Sequence, residues 1–129
     1  MENLKIAITG PTNSGKTTKL IEICIKELLN SKKTCYIISN ESTIFGIIDI
    51  FIRKFDYSVT GVNNLIKNGW LKIYQINIDE DITNITQNIC DEDIVFLDVI
   101  NVARYLDSIN NETYYTVQTI RNNYNKEIK

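Results

Sequence analysis

The sequence predicts an α/β fold, a parallel sheet of about five strands sandwiched by helices. Three observations lead there. Short β-type runs alternate along the chain with helix-spaced apolar stripes, the order that builds parallel sheets through helical crossovers. Thr34–Ser39 and Ile94–Leu97 are dense apolar runs, as strands buried on both faces are. The first strand candidate ends in a glycine turn that opens directly into an amphipathic helix. At 129 residues, the chain has the size of one domain spanning 1–129.

Each element has its own signal. Leu4-Lys5-Ile6-Ala7-Ile8-Thr9 is a β-type run that stops at Gly10. From Thr17 to Asn30, Leu20, Ile21, Cys24 and Leu28 share a helical stripe, with Lys19, Glu22, Lys26 and Glu27 mostly off it. Asn30-Ser31-Lys32-Lys33 is a polar stop, and the run 34–39 is the second strand. Ser42 to Phe55 reads as a helix capped by Ser42 or Thr43. Its apolar residues run nearly all the way round, which implies deep burial or a partner subunit. Ser58 to Asn68 is expected to be a loop with one short helix. Trp70 to Ile76 reads as the third strand, and Ile82, Ile85 and Ile89 as a helix face capped by Asp79 or Asp81. Ile94 to Leu97 ends in Asp98, and a helix is expected over Val99 to Ser108. Thr113 to Thr119 is rich in Tyr, Thr and Val, which favours strand, although Tyr114, Val117, Ile120 and Tyr124 also fit a helical stripe.

Composition narrows the function classes. The formal net charge of -2 gives no electrostatic footprint for nucleic acid. No apolar run reaches the roughly 18 residues of a membrane span, and Met1 to Lys5 lacks the apolar core of a signal peptide. A cytoplasmic protein is expected. Cys24, Cys35 and Cys90 are odd in number, far apart and without any histidine, so buried reduced thiols are expected rather than a metal or disulfide framework.

The chemistry concentrates at Gly10-Pro11-Thr12-Asn13-Ser14-Gly15-Lys16-Thr17. This matches G-x-x-x-x-G-K-[ST], the phosphate-binding P-loop, between a strand and a helix as the mechanism requires. Gly10 and Gly15 let the backbone curl so that several N–H groups point inward at phosphate, and the helix N-terminus adds partial positive charge. Lys16 is expected to reach the β- and γ-phosphates, and the Thr17 hydroxyl to ligate Mg²⁺. Thr18 completes the nucleotide-binding stretch, whose ligand is ATP or a close relative. Asp98, at the end of a buried strand, is the expected second metal-side group, orienting Mg²⁺ through a water. In many such ATPases a Glu follows this Asp, but Val99 stands here. Glu41, just past the neighbouring strand candidate, is the alternative carboxylate for aligning the attacking water.

The order of these elements resembles the RecA/DnaB-like ATPase core. In that family the Glu after the second strand is catalytic, and DnaB-type helicases show Ser-Leu-Glu there. Ser39-Asn40-Glu41 is similar, with Asn40 in place of the usual apolar residue. The family also carries a Gln that senses the γ-phosphate at the tip of the strand after the Asp strand, often with an Arg three residues on. Gln118-Thr119-Ile120-Arg121 resembles that arrangement. The resemblance implies an ATP-hydrolysing P-loop NTPase with Lys16, Glu41 and Gln118 as catalytic residues. It also implies a homo-oligomer with active sites at subunit interfaces, and a DNA-processing role in a phage or mobile element. The long loops and extra strands of a helicase do not fit this length. No arginine finger is identifiable among Arg53, Arg104 and Arg121, so a neighbouring subunit would have to supply one.

Two other readings stay open. The phosphate loop also resembles that of thymidine kinases, which implies a nucleoside or nucleotide kinase, though the Glu base beside the Asp, the zinc-binding cysteines and the Arg-rich lid usual in nucleotide kinases are missing. A non-hydrolysing nucleotide-binding module that regulates a partner suits a chain this stripped of loops. A GTPase reading fails for want of an Asn-Lys-x-Asp motif, and an ABC-type ATPase for want of Ser-Gly-Gly.

Overall fold

A computed structural model describes residues 4–10, 15–78, 80–100, 102–106, 108–109 and 113–119, with side chains at 15–78, 80–100, 102–105, 108–109 and 115–116. The elements are β1 (Leu4–Gly10), α1 (Lys16–Asn30), β2 (Cys35–Ser39), α2 (Ile44–Phe55), α3 (Val59–Lys67), β3 (Leu71–Gln75), α4 (Thr83–Thr86), β4 (Ile94–Asp98), α5 (Ala103–Leu106) and β5 (Thr113–Thr119). Among the described residues the strands form one five-stranded sheet in the order β1-β5-β4-β2-β3. Every pairing is parallel.

This order explains where the helices lie. The chain moves outward from β1 to β2 to β3, then turns back through β4 to β5. With right-handed crossovers, outward and returning connections lay their helices on opposite faces of a sheet. Two buried clusters agree with that. The first joins Leu20, Ile21 and Cys24 of α1, Ile47 and Phe51 of α2 and Val62 of α3 to Ile37, Phe96 and Tyr115. The second joins Ile82, Ile89, Tyr105 and Ile109 to Tyr36, Ile38, Val95 and Leu97. Strand alternation assigns the faces: Cys35 and Ile37 with Ile94 and Phe96 to the α1 side, Tyr36 and Ile38 with Val95 and Leu97 to the other. The fully buried strands β2 and β4 are the middle of this sandwich.

Several elements depart from the sequence expectation. The segment after Ser58 is a nine-residue helix rather than mostly loop. Val59, Thr60 and Gly61 are poor helix formers, but the Ser58 hydroxyl caps the helix by accepting from Gly61 N at 2.9 Å. Val62, Leu65 and Ile66 then pack on the first cluster. The α2 helix is not deeply buried. Only Ile47 and Phe51 are fully enclosed, and Phe45 is 83% exposed. Its cap is Thr43, which accepts from Gly46 N at 2.9 Å. The helices expected around 82–89 and 99–108 shrink to single turns, α4 and α5. Asp81 accepts from both Thr83 N and Thr83 Oγ1, while Asp79 lies outside the described residues. The ambiguous segment 113–119 is strand, held by β1 on one side and β4 on the other. Cys24 and Cys35 are buried, as expected, and share the first cluster. Cys90 is exposed, against expectation. No helix among the described residues is long and apolar enough to cross a membrane.

Candidate functional site

The carboxyl ends of parallel strands are where open α/β sheets bind ligands, and Gly10, Ser39 and Asp98 lie at or near the carboxyl ends of β1, β2 and β4. Gly10 ends β1, in register with Thr119 of β5. Pro11, Thr12, Asn13 and Ser14 lie outside the described residues. Gly15 is the N-cap of α1, with φ 83° and ψ 20°. That left-handed conformation costs an L-residue about 1–2 kcal/mol, which is why glycine stands there. Gly15 O accepts from Lys19 N at 3.0 Å, the first helical bond.

The start of α1 differs from those of α2 and α3. The latter two are capped by Thr43 and Ser58. The N-cap of α1 is Gly15, which has no side chain to cap it, and among the described residues its first turn carries no acidic residue. Among the described residues no side chain meets its leading amide donors, and such a helix start, with its partial positive charge, is a place where an anion can be received. Lys16 sits in this first turn and is 9% exposed. Thr17 and Thr18 follow, both half-buried.

Asp98 is fully buried, and so is its register partner in β2, Ser39. Alternation along β4 carries Asp98 to the same side as Phe96, the side that α1 covers. Thr17 Oγ1 donates to Asp98 Oδ1 at 2.9 Å. Ser39 Oγ donates to Asp98 Oδ2 at 2.9 Å. Ser39 Oγ in turn accepts from Glu41 N at 3.2 Å and Ser42 N at 2.8 Å. The two loops are further fastened by Asn40. Its backbone N donates to Asp98 O at 3.2 Å, and its Oδ1 accepts from Ile100 N at 2.8 Å. Its Nδ2 donates to Ile100 O and to Tyr105 Oη at 3.4 and 3.3 Å. An apolar residue at position 40 could make none of these side-chain bonds. Among the described residues, no buried side-chain polar atom lacks a partner.

Glu41 is exposed at the mouth of this network. Partial desolvation, and then the negative charge of Asp98, raise its pKa above the ordinary glutamate value, against the opposing pull of Lys16. A carboxylate raised in this way is a stronger proton acceptor than a fully solvated one. Val99, where many P-loop ATPases carry a Glu, is 2% exposed and packed in the second cluster, so this chain uses that position for its core.

The donor set fits magnesium. Thr17 Oγ1 and the Asp98 carboxylate are hard oxygen groups, side by side beside Lys16. Among the described residues no cluster of three or more metal-ligating side chains exists. Magnesium needs no such cage, because it is usually held by one or two protein groups, waters and substrate phosphates.

Gln118 is placed by its backbone only, in register with Thr9 in β5, between β1 and β4. Arg121 lies outside the described residues. Arg53 is engaged on the surface of α2, its Nε 2.8 Å from Asp49. Ser39 and Asn40 stand in sequence as the two residues before Glu41, and the structure gives both a part in the site. A signal for Ser39 was present: it is a polar residue ending an apolar strand, as Asp98 is. No protein-family model matches the chain, and no curated protein sequence matches it.

Proposed function

We propose that this chain binds a magnesium–nucleoside triphosphate at the β1–α1 junction and hydrolyses it, as a minimal P-loop ATPase of the RecA/DnaB-like kind. The observation that carries the reading is the line Thr17–Asp98–Ser39, hydrogen-bonded at the foot of a helix whose N-cap is a left-handed glycine. A buried carboxylate held between two hydroxyls costs desolvation, and the use that compensates that cost is to face a cation.

The roles follow from position. Gly15 turns the backbone so that the first amides of α1 bind phosphate oxygens. Lys16 Nζ neutralises charge on the β- and γ-phosphates. Thr17 Oγ1 and Asp98 hold the metal side. Magnesium held there would supply positive charge to offset that developing on the phosphates. Glu41 orients a water in line with the γ-phosphorus and takes a proton from it as the new O–P bond forms. The bond from the γ-phosphorus to the bridging oxygen breaks, and the nucleoside diphosphate leaves. The strand order supports the same reading. β5 runs between the phosphate-loop strand and the Asp98 strand, and Gln118, near its carboxyl end, is the residue assigned to sense a terminal phosphate.

Phosphate release from Mg–ATP by wild type, Lys16→Ala and Glu41→Gln, with and without single-stranded DNA and with thymidine as acceptor, tests this. Turnover lost in Glu41→Gln with nucleotide binding kept supports hydrolysis. Labelled thymidine monophosphate would replace the reading with a nucleoside kinase. Binding without turnover under any condition would replace it with a regulatory module.

A further inference from the structure

We propose that Ser39 is a positioning residue that joins the metal-side carboxylate of Asp98 to the backbone seat of Glu41. The inference rests on the hydrolase reading above and extends it to a residue that touches neither phosphate nor the attacking water.

The hydrogen-bond inventory of one hydroxyl carries it. A serine hydroxyl has one proton to donate and two lone pairs. Ser39 Oγ accepts from Glu41 N and Ser42 N, which fills both lone pairs. Its single proton is therefore directed to Asp98 Oδ2. Ser39 is fully buried, so water has no access to replace any of the three bonds. The two oxygens of Asp98 are thus divided: Oδ1 receives Thr17 of α1, and Oδ2 receives Ser39 of β2.

The consequence is mechanical. Rotation of the Asp98 carboxylate displaces the Ser39 hydroxyl, and with it the two amides that aim Glu41. Asn40 prevents the loop from absorbing that motion elsewhere, since it is fastened to Asp98 O and to both backbone groups of Ile100. Ordering of Asp98 on the metal side and ordering of Glu41 on the water side become one event.

The test uses the full chain. In Ser39→Ala and Ser39→Val, turnover of Mg–ATP should fall about 10–100-fold, while binding of a fluorescent ATP analogue in EDTA stays within about twofold of wild type. Ser39→Thr, which differs from Ser39→Val only by hydroxyl for methyl, should restore most of the turnover. Ser39→Ala placed on Glu41→Gln should cost nothing further, because the residue acts through Glu41. In wild type, hydrogen exchange at the Glu41 and Ser42 amides should slow on adding magnesium with a non-hydrolysable ATP analogue, and much less with the analogue in EDTA. Full turnover in Ser39→Ala, an equal loss on the Glu41→Gln background, or amide exchange indifferent to magnesium would each overturn the proposal. Wild-type protein that shows no magnesium-dependent turnover would instead remove the hydrolase reading, and the exchange measurement still decides the coupling. It also decides if the alanine and valine variants fail to fold.

Discussion

Gly15→Ala isolates the backbone geometry at the start of α1. Gly15 has φ 83° and ψ 20°, and a Cβ added there would meet nothing within 4 Å. Steric clash with neighbours therefore contributes nothing, and the cost is that of the left-handed backbone, about 1–2 kcal/mol for an L-residue. Alanine loses less conformational freedom on folding than glycine, which returns about 0.4–1 kcal/mol. The net is a destabilisation of about 1 kcal/mol, or roughly 3–5 °C in melting temperature for a domain this size. Relaxation to negative φ would turn the first amides of α1 away from an anion, so nucleotide affinity should fall together with stability. Gly15→Asn should lie between, because asparagine tolerates the left-handed region. Thermal melts by circular dichroism and a fluorescent-nucleotide titration of the same samples measure both. Gly15→Ala that melts at or above wild type and binds nucleotide equally well would refute the requirement for a left-handed turn.

Three further outcomes follow from the same contacts. The wild-type pH–rate profile should show an acid limb whose midpoint lies above the ordinary carboxylate value, because the Glu41 pKa is raised, and a rate that falls only below the ordinary value would contradict Glu41 as the base. With a raised folded pKa, the Glu41 contribution to stability is present below the unfolded pKa and is lost as pH rises through the folded one. Glu41→Gln should therefore melt no lower than wild type at neutral pH, and a lower melting temperature would contradict the assignment. Tyr115→Phe removes a hydrogen bond in which Tyr115 Oη donates to Glu27 Oε2 at 2.7 Å, at a cost of about 1–2 kcal/mol by urea unfolding. The Tyr115 phenol pKa is raised by burial and then by Glu27, so the unfolded chain ionises first. The advantage of wild type over the variant should shrink as pH rises above about 10. Phe51→Ala, at a fully buried position edge-on to Tyr57, should cost about 3–5 kcal/mol and lower the melting temperature by roughly 10–20 °C; a change of only a few degrees would mean that α2 is not docked as described.

The α/β class and the central strands were legible because burial leaves a strong local trace. Ile94 to Leu97 and Cys35 to Ile38 are apolar on both faces and lie in the middle of the sheet. The helix after Gly15 was legible from its stripe, and four residues of that stripe or its flank, Leu20, Ile21, Cys24 and Ile25, are buried. Where tertiary contacts override local preference, the sequence was a poor guide. Val59 to Gly61 argue against a helix, yet Ser58 and the contacts of Val62 support one. Thr113 to Thr119 fitted two periods, and only its two neighbours in the sheet decide between them. The apolar perimeter of α2 says nothing about what covers it, and Phe45 is left in solvent. At the site, Thr17 and Asp98 are 81 positions apart in sequence, and the fold brings their side-chain oxygens to 2.9 Å. The role of Ser39 was hidden because its partner Asp98 is 59 positions away in sequence. Asn40 reads as a departure from a motif until Ile100 and Tyr105 are seen around it.

The most direct measurement is calorimetric titration of a non-hydrolysable ATP analogue with magnesium into wild type and Lys16→Ala. Saturable one-site binding by wild type, weakened by more than about tenfold in Lys16→Ala or on chelation of the metal, is the expected result. A wild-type chain that takes up no heat and no nucleotide, or one that binds equally well without Lys16 and without magnesium, would contradict the assignment of this turn as a phosphate site.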